Sequence, residues 1–298
     1  MADWLRTIAR VAAPMFALAL GSTIAIASDA PPFGDGATEP LWEAGIGAAV
    51  LSFPHYRGSD QSRAYVIPAP YLVYRGEIFK ADRNGVRGVF FNTDRLNLNV
   101  SAGASLPVYS RDDGARAGMP DLKPSVELGP SLDVTLWRST DLRANLDLRL
   151  PVRAAITVET NPRFIGGEFF PHLNLDLRDP AGFQGWNLGL LTGPVFADAR
   201  YNRYFYEVRP AYANGSRPAY GAPAGGFAGT QFLMALSKRF PRFWTGAFAR
   251  YDSLRGATFE ESPLVTSKGY FAAGVAISWI FGESSERVPS IDLGGRRR

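Results

Sequence analysis

From Leu142 to Arg153 the chain alternates between Leu142, Ala144, Leu146, Leu148, Leu150 and Val152 on one parity and Arg143, Asn145, Asp147, Arg149 and Arg153 on the other. Side chains of a strand point to opposite faces in turn, so this period of two predicts a strand with one aliphatic and one polar face. The preceding segment repeats the pattern, with Val126, Leu128, Leu132, Val134 and Leu136 on one parity and Ser125, Glu127, Ser131, Asp133 and Thr135 on the other. The chain must therefore build a sheet whose two faces meet different media. A soluble sandwich and a membrane barrel both satisfy the pattern, and what decides between them is whether the apolar face meets a protein core or lipid.

The N-terminus bears on that choice. Arg6 and Arg10 precede an apolar run that ends in the small-residue pattern Ala25-Ile26-Ala27, which reads as a secretory signal peptide over 1–27, cleaved after Ala27. The run is broken by Pro14, Gly21, Ser22 and Thr23 and falls short of the roughly 20 apolar residues of a spanning helix. Residues 28–40 are rich in Pro, Gly and acid and read as a flexible lead-in.

From residue 41 alternation and breakers mark twelve candidate strands at 42–53, 64–74, 77–82, 86–92, 95–106, 123–137, 141–157, 166–178, 185–197, 226–239, 243–255 and 268–281. Short turns alternate with the long connections 54–63, 107–122, 159–165, 198–225 and 256–267, apart from one tight hairpin near 83–85. Short periplasmic turns opposite longer outer loops are the plan of an outer-membrane barrel. The expectation is thus an all-β fold, a transmembrane antiparallel barrel of about 12 strands over 41–281, with a periplasmic tail over 282–298.

Tryptophan gives an independent test, because its amphipathic ring concentrates where hydrocarbon meets water. Trp42, Trp137, Trp186, Trp244 and Trp279 all fall at the short-turn end of the proposed strands and are assigned to an aromatic girdle. Trp137 lies on the polar parity and Trp244 is ambiguous. The last strand places Phe271, Val275, Ile277, Trp279 and Phe281 on one face, as a lipid-facing closing strand would.

Arg or Lys pointing to lipid at mid-membrane costs about 2–4 kcal/mol, so Glu127, Asp133, Arg143, Asp147, Arg149, Arg153, His172, Asp176 and Arg178 are assigned to the lumen. A register pairing residues whose numbers sum to about 278 would set Asp133 diagonal to Arg143 and Glu127 diagonal to Arg149. Such an interior reads either as a selective channel or as a salt-bridged wall, and interspersed charges of both signs favour the wall. Pro68, Pro70, Pro130, Pro151, Pro171 and Pro194 fall inside proposed strands, where bulges or breaks are expected.

Composition excludes several chemistries. There is no cysteine, which removes disulfides and thiolate sites. The 32 basic and 28 acidic residues are near balance, unlike a nucleic-acid binder. His55 and His172 are the only histidines, which argues against a metal or cofactor site. His55, Ser59 and Asp60 share one loop, but a triad is defined by geometry, so no catalytic residue is assigned.

That loop, Pro54-His55-Tyr56-Arg57-Gly58-Ser59-Asp60, follows Gly45-Ile46-Gly47 and precedes Pro68-Ala69-Pro70-Tyr71. It resembles the N-terminal signature of the MipA/OmpV family of MltA-interacting outer-membrane proteins. Gly118-Met119-Pro120-Asp121-Leu122-Lys123-Pro124, with Glu127-Leu128-Gly129-Pro130-Ser131, is similar to another segment of that family. The family motif maps onto Pro54, Tyr56, Gly58, Ser59 and Asp60. The resemblance implies an outer-membrane barrel in contact with lipid. It further implies a non-catalytic scaffold joining a lytic murein transglycosylase to a penicillin-binding protein in peptidoglycan growth. A channel or ligand-uptake barrel and a surface adhesin or antigen are the alternatives. From the residues alone, Gly58 permits a tight turn and Ser59 or Asp60 can bond backbone amides, so the motif also reads as a purely structural loop.

Overall fold

A computed structural model describes residues 38–75, 79–82, 85–88, 91–93, 95–221 and 223–289. The expected leader 1–27, most of the lead-in and the end of the tail lie outside the described residues. The strands are β1 Thr38–Pro40, β2 Trp42–Pro54, β3 Ser62–Arg75, β4 Phe79–Asp82, β5 Gly85–Gly88, β6 Phe91–Asn92, β7 Leu96–Ser105, β8 Ser125–Arg138, β9 Ala144–Thr157, β10 Phe164–Phe169, β11 His172–Arg178, β12 Trp186–Ala197, β13 Gly226–Arg239, β14 Phe243–Ser253, β15 Gly269–Glu283 and β16 Arg287–Pro289. Among the described residues one α-helix, α1, spans Ala199–Tyr206.

Strands β2 to β15 form one antiparallel sheet, in which β15 pairs with β2 and the order runs from β5 round to β6. Those two end strands are separated only by residues 89–90, so the sheet returns to its own starting point. Taking β5 with β6, and β10 with β11, as one wall position each reduces the 14 strands to 12 positions. The fold is a transmembrane antiparallel β-barrel of the bacterial outer membrane.

The outward parity answers the question posed by the alternation. Ile46 is 60% exposed, Val66 77% and Phe271 72%, and Leu128, Leu132, Val152 and Leu173 are exposed on neighbouring strands. Side chains of this kind lying side by side form a continuous apolar belt, which suits lipid and not water.

Four of the five tryptophans sit on or toward that outer face at the short-turn end, and Trp137 does so for a reason parity could not supply. A bulge between Thr135 and Trp137 shifts the register, so Leu136 and Trp137 both face outward. Trp244 is a correction: it is 2% exposed and packs inside against Tyr71 at 6.1 Å between ring centroids.

The β8–β9 register also differs from expectation. Asp133 lies opposite Arg149, four residues beyond Asn145, the partner that a sum of 278 would select. A shift by an even number preserves the faces but changes every pair. The cause is the turn, where Ser139 bonds Ala144 and Leu142 takes a left-handed φ of 59°, so Leu142 and Arg143 precede the strand. Arg143 is therefore not a lumen residue; it is half exposed, 3.9 Å from Asp179.

The prolines at 68, 70, 130, 171 and 194 resolve in four ways. Pro194 sits at a bulge, Pro171 separates β10 from β11, and Pro130 lies where the β8–β9 pairing skips two residues without changing register. Pro68 and Pro70 cause no irregularity in β2–β3. The Arg75 amide donates to Leu41, so by alternation the odd residues of β3 face β2 and the even ones face away. Beyond Tyr74 and Arg75 no pairing of β3 with β4 is present among the described residues, so both prolines lie on an unpaired edge, where no donor is required.

The described end of the expected lead-in pairs with the described part of the expected tail. β1 pairs with β16, Glu39 opposite Val288, at the short-turn end. Both residues are buried, and Glu39 reaches Arg75 at 2.5 Å while Glu43 joins Arg75 at 2.8 Å and Arg239 at 2.9 Å.

Candidate functional site

The long loops do not splay. They fold over the barrel mouth around a buried cluster that includes Tyr56, Val108, Leu122, Tyr201, Phe205, Tyr206, Leu254, Phe259 and Leu264. At its centre is α1, capped by Asp198, whose carboxylate accepts the Tyr201 amide at 2.7 Å and the Gly167 amide at 2.8 Å. Its buried face is Tyr201, Asn202, Phe205 and Tyr206, at helical spacing. Gly166, at φ +133°, lets the helix approach so closely that a Cβ there would lie 2.3 Å from the Tyr201 nitrogen. Tyr206 stacks on Phe259 with centroids 3.7 Å apart and planes inclined by 7°.

The loop of the family motif, residues 55–61, ties this cap together. Pro54 ends β2 and is buried. The Tyr56 hydroxyl donates to the Leu264 carbonyl at 2.7 Å, and the Arg116 guanidinium lies over the Tyr56 ring at 5.7 Å. Gly58, at φ +99°, turns its carbonyl to the amides of Thr266 and Ser267 at 2.8 and 2.9 Å. Ser59 donates to Asp113 at 2.8 Å, and Asp60 accepts from the Thr266 hydroxyl at 3.0 Å. One short turn thus holds loop 106–124 on one side and loop 254–268 on the other. Burial raises the Tyr56 and Tyr206 hydroxyls well above the usual tyrosine range, so both stay protonated donors.

The same geometry separates the residues that a hydrolase would need in contact. Ser59 gives its proton to Asp113, and His55 Nδ1 lies 3.0 Å from that same carboxylate oxygen. Serine and histidine are two spokes on one buried acid, whereas a nucleophile must bond to its base. His172 lies on the lumen face, its Nδ1 2.7 Å from the Phe170 carbonyl and its ring stacked on Phe170.

Beneath the cap, one side of the lumen is charged and the other apolar. Arg149 lies 3.7–3.9 Å from Asp133, Asp147 and Asp176, and Arg153 lies 3.9 Å from Glu127 and 3.8 Å from Glu168. Polar neighbours complete the acids: Asn99 and Ser131 bond Asp133, Thr135 and Asn145 bond Asp147, and Asn174 bonds Asp176. Arg178 faces inward at the short-turn end. Leu51, Tyr71, Leu233, Trp244, Phe248 and Ile280 line the opposite side. The Tyr201 hydroxyl donates to Glu127 at 3.0 Å and joins the cap to the charged wall. Of the assigned lumen charges, all but Arg143 share this interior.

Sequence reasoning missed the two residues on which the cap turns, Asp113 and Arg116, along with Arg217, whose guanidinium donates to the Ala115, Ala117 and Tyr212 carbonyls. Their long-range partners, such as Ser59 for Asp113, Phe205 for Arg116 and Ala115 for Arg217, lie across loops. The helix did leave a signal: Asp198 followed by aromatic residues at 201 and 205 is an N-cap and an i, i+4 pair.

Among solved structures, the chain is similar to a bacterial polysaccharide outer membrane secretin, with 8% identity over 81% of this chain and 98% of that one and a TM-score of 0.35. It is similar to the outer membrane phospholipase A from Escherichia coli, with 10% identity over 87% and 97% and a TM-score of 0.32. The Pseudomonas putida toluene transporter TodX matches with 10% identity over 89% and 77% and a TM-score of 0.28. These likenesses are too remote to bear on activity. No curated protein matches the sequence. The family model described as MltA-interacting protein MipA matches residues 46–281, and the chain belongs to that family.

Proposed function

We propose that this barrel is a non-catalytic scaffold of the outer membrane that holds a lytic murein transglycosylase beside a penicillin-binding protein during peptidoglycan growth. The observation that carries the reading is a capped mouth with an anchored ribbon at the opposite end. The loop cluster around α1 covers one mouth, and the β1–β16 ribbon, anchored through Glu39 and Arg75, lies at the other. A wall braced from within by paired charges suits a rigid platform better than a conduit. The family's description, which names an interaction with MltA, supports the same reading. The scheme places the short turns in the periplasm, and export would run through the segment 1–27 with cleavage after Ala27.

The test is recovery of partners from detergent-solubilised envelopes on the tagged full chain, with an unrelated barrel as control. Enrichment of a transglycosylase together with a penicillin-binding protein is expected, and absence of both overturns the scaffold. A channel is the second reading, favoured by the apolar side of the lumen facing the charged one. Planar-bilayer recording separates the two: the scaffold predicts no unitary conductance, and stable open steps would decide for a pore.

A further inference from the structure

At the rim of the cap above β10, exposed cations outnumber the one acid that faces them. Arg200, on the outer side of α1, holds its guanidinium 5.3 Å from the ring centroid of Phe164, which is exposed on the outer face at the start of β10. Phe164 lies opposite Ile156, another exposed apolar residue, so this pair ends the hydrocarbon belt and Arg200 stands directly above it. Arg163 precedes Phe164, and Lys123 is brought in by its backbone amide, which donates to the Tyr204 hydroxyl at 2.8 Å.

The local acids are committed elsewhere. Asp198 turns its carboxylate to the backbone amides of Tyr201 and Gly167, and Asp121 bonds the Ser110 amide. Glu159 alone faces the cluster, 2.9 Å from Arg163, and bonds with Thr157 and Arg163 hold its carboxyl below the usual range, with Lys123 contributing. Among the described residues no carboxylate lies within 4.0 Å of Lys123, Arg200 or Arg203. Other loop cations differ: Arg63 has Asp112, Arg209 has Glu207, and Lys268 has Glu260.

We infer that Lys123, Arg163 and Arg200 bind the phosphate groups of a phosphorylated lipid of the outer leaflet, whose acyl chains lie along Phe164 and Ile156. The excess of positive charge selects an anion, and continuity with the apolar belt selects one attached to a membrane. Arginine is suited to the task, since its planar fork meets phosphate with two donors.

The test uses the full chain reconstituted in phosphatidylcholine nanodiscs doped with diphosphoryl lipid A, with retained lipid counted by native mass spectrometry. Diphosphoryl lipid A should be retained in preference to its dephosphorylated form. The combined Lys123→Ala, Arg163→Ala and Arg200→Ala variant should lower retention about a hundredfold. Glu159→Gln, which frees Arg163, should raise it, and Arg111→Ala, an exposed cation elsewhere on the cap, should leave it unchanged. Unchanged heat-modifiable migration of each variant shows that the barrel remains folded. Equal retention of the two lipid forms, an equal loss on Arg111→Ala, or equally tight binding of soluble polyphosphate would overturn the proposal.

Discussion

Replacing Asp113 by alanine should open the cap while leaving the barrel standing. The carboxylate is 1% exposed; it accepts the Ser59 hydroxyl at 2.8 Å and the Arg116 amide at 3.2 Å, with His55 Nδ1 at 3.0 Å. Removal leaves the Ser59 hydroxyl and the His55 ring without their buried acceptor, while the Arg116 amide keeps its bond to the Asp113 carbonyl at 3.1 Å; the cost is about 1–3 kcal/mol for each orphaned donor that water cannot reach. Part of that will be recovered by hydration, so a net loss of about 3 kcal/mol is expected, which multiplies the opening equilibrium by about a hundred. Amide hydrogen exchange on the solubilised protein reads this directly: loops 55–61 and 106–124 should exchange about a hundred times faster while strand amides keep their protection. Asp113→Asn, which retains one acceptor oxygen, should fall between. Unchanged exchange in both loops would refute the assignment of Asp113 as the tie. Joint loss of protection in cap and strands would refute the cap as a separable unit.

Trp244→Ala should destabilise the barrel by about 3–5 kcal/mol in denaturant unfolding, whereas Trp279→Ala on the outer face should cost far less; equal losses would contradict the inward placement of Trp244. Gly166→Ala, with a Cβ 2.3 Å from the Tyr201 nitrogen, should displace α1 and create a proteolytic site within Ala199–Tyr206. Persistent resistance to protease would count against the close approach. The Lys268 ammonium and the Gly256 amide hold the Glu260 carboxyl below its usual range, so folding favours the charged form. Protection of loop 254–268 should therefore be complete above pH 4.5, the ordinary value of that carboxyl, and fall as the pH drops below it; a loss on raising the pH instead would reverse the sign. Pro68→Val with Pro70→Val restores two donors on the edge of β3 that has no partner there among the described residues, and should increase self-association seen by cross-linking in detergent. A strictly monomeric variant would show that the edge is covered.

The strands were legible because a wall between lipid and lumen enforces a period of two over every pass, and no other element competes for that pattern. Leu146, Leu148, Leu150 and Val152 face outward as their parity requires. What failed were features set by a single residue's departure from the period. The bulge at Thr135–Trp137 reversed one tryptophan, and the left-handed Leu142 moved the β8–β9 register by four residues. Trp244 was misplaced because it stands next to Phe243 at the start of its strand and is followed by Thr245, Gly246 and Ala247, which carry no clear parity. The motif loop was visible as a motif, but its work was not, since Tyr56 and Leu264 meet across 208 residues of sequence. Contacts at such separation leave no trace in local pattern. The cap's helix was overlooked for a different reason: eight residues inside a tyrosine-rich loop are too few for periodicity to outweigh composition.

The ribbon of β1 and β16 fixes an order of events. Glu39 and Val288 stand at opposite ends of the described chain, and to bring them together in an unfolded chain would require closing nearly its whole length. Once β15 has joined β2, only Leu41 on one side and residues 284–286 on the other separate the two short strands from neighbouring staves. The closure has by then become local, and its entropy has already been met by the ring. The ribbon can therefore form only on a completed barrel, which makes the pairing of Glu39 with Val288 a marker of finished assembly: a chain stalled before its last strand leaves β1 without β16.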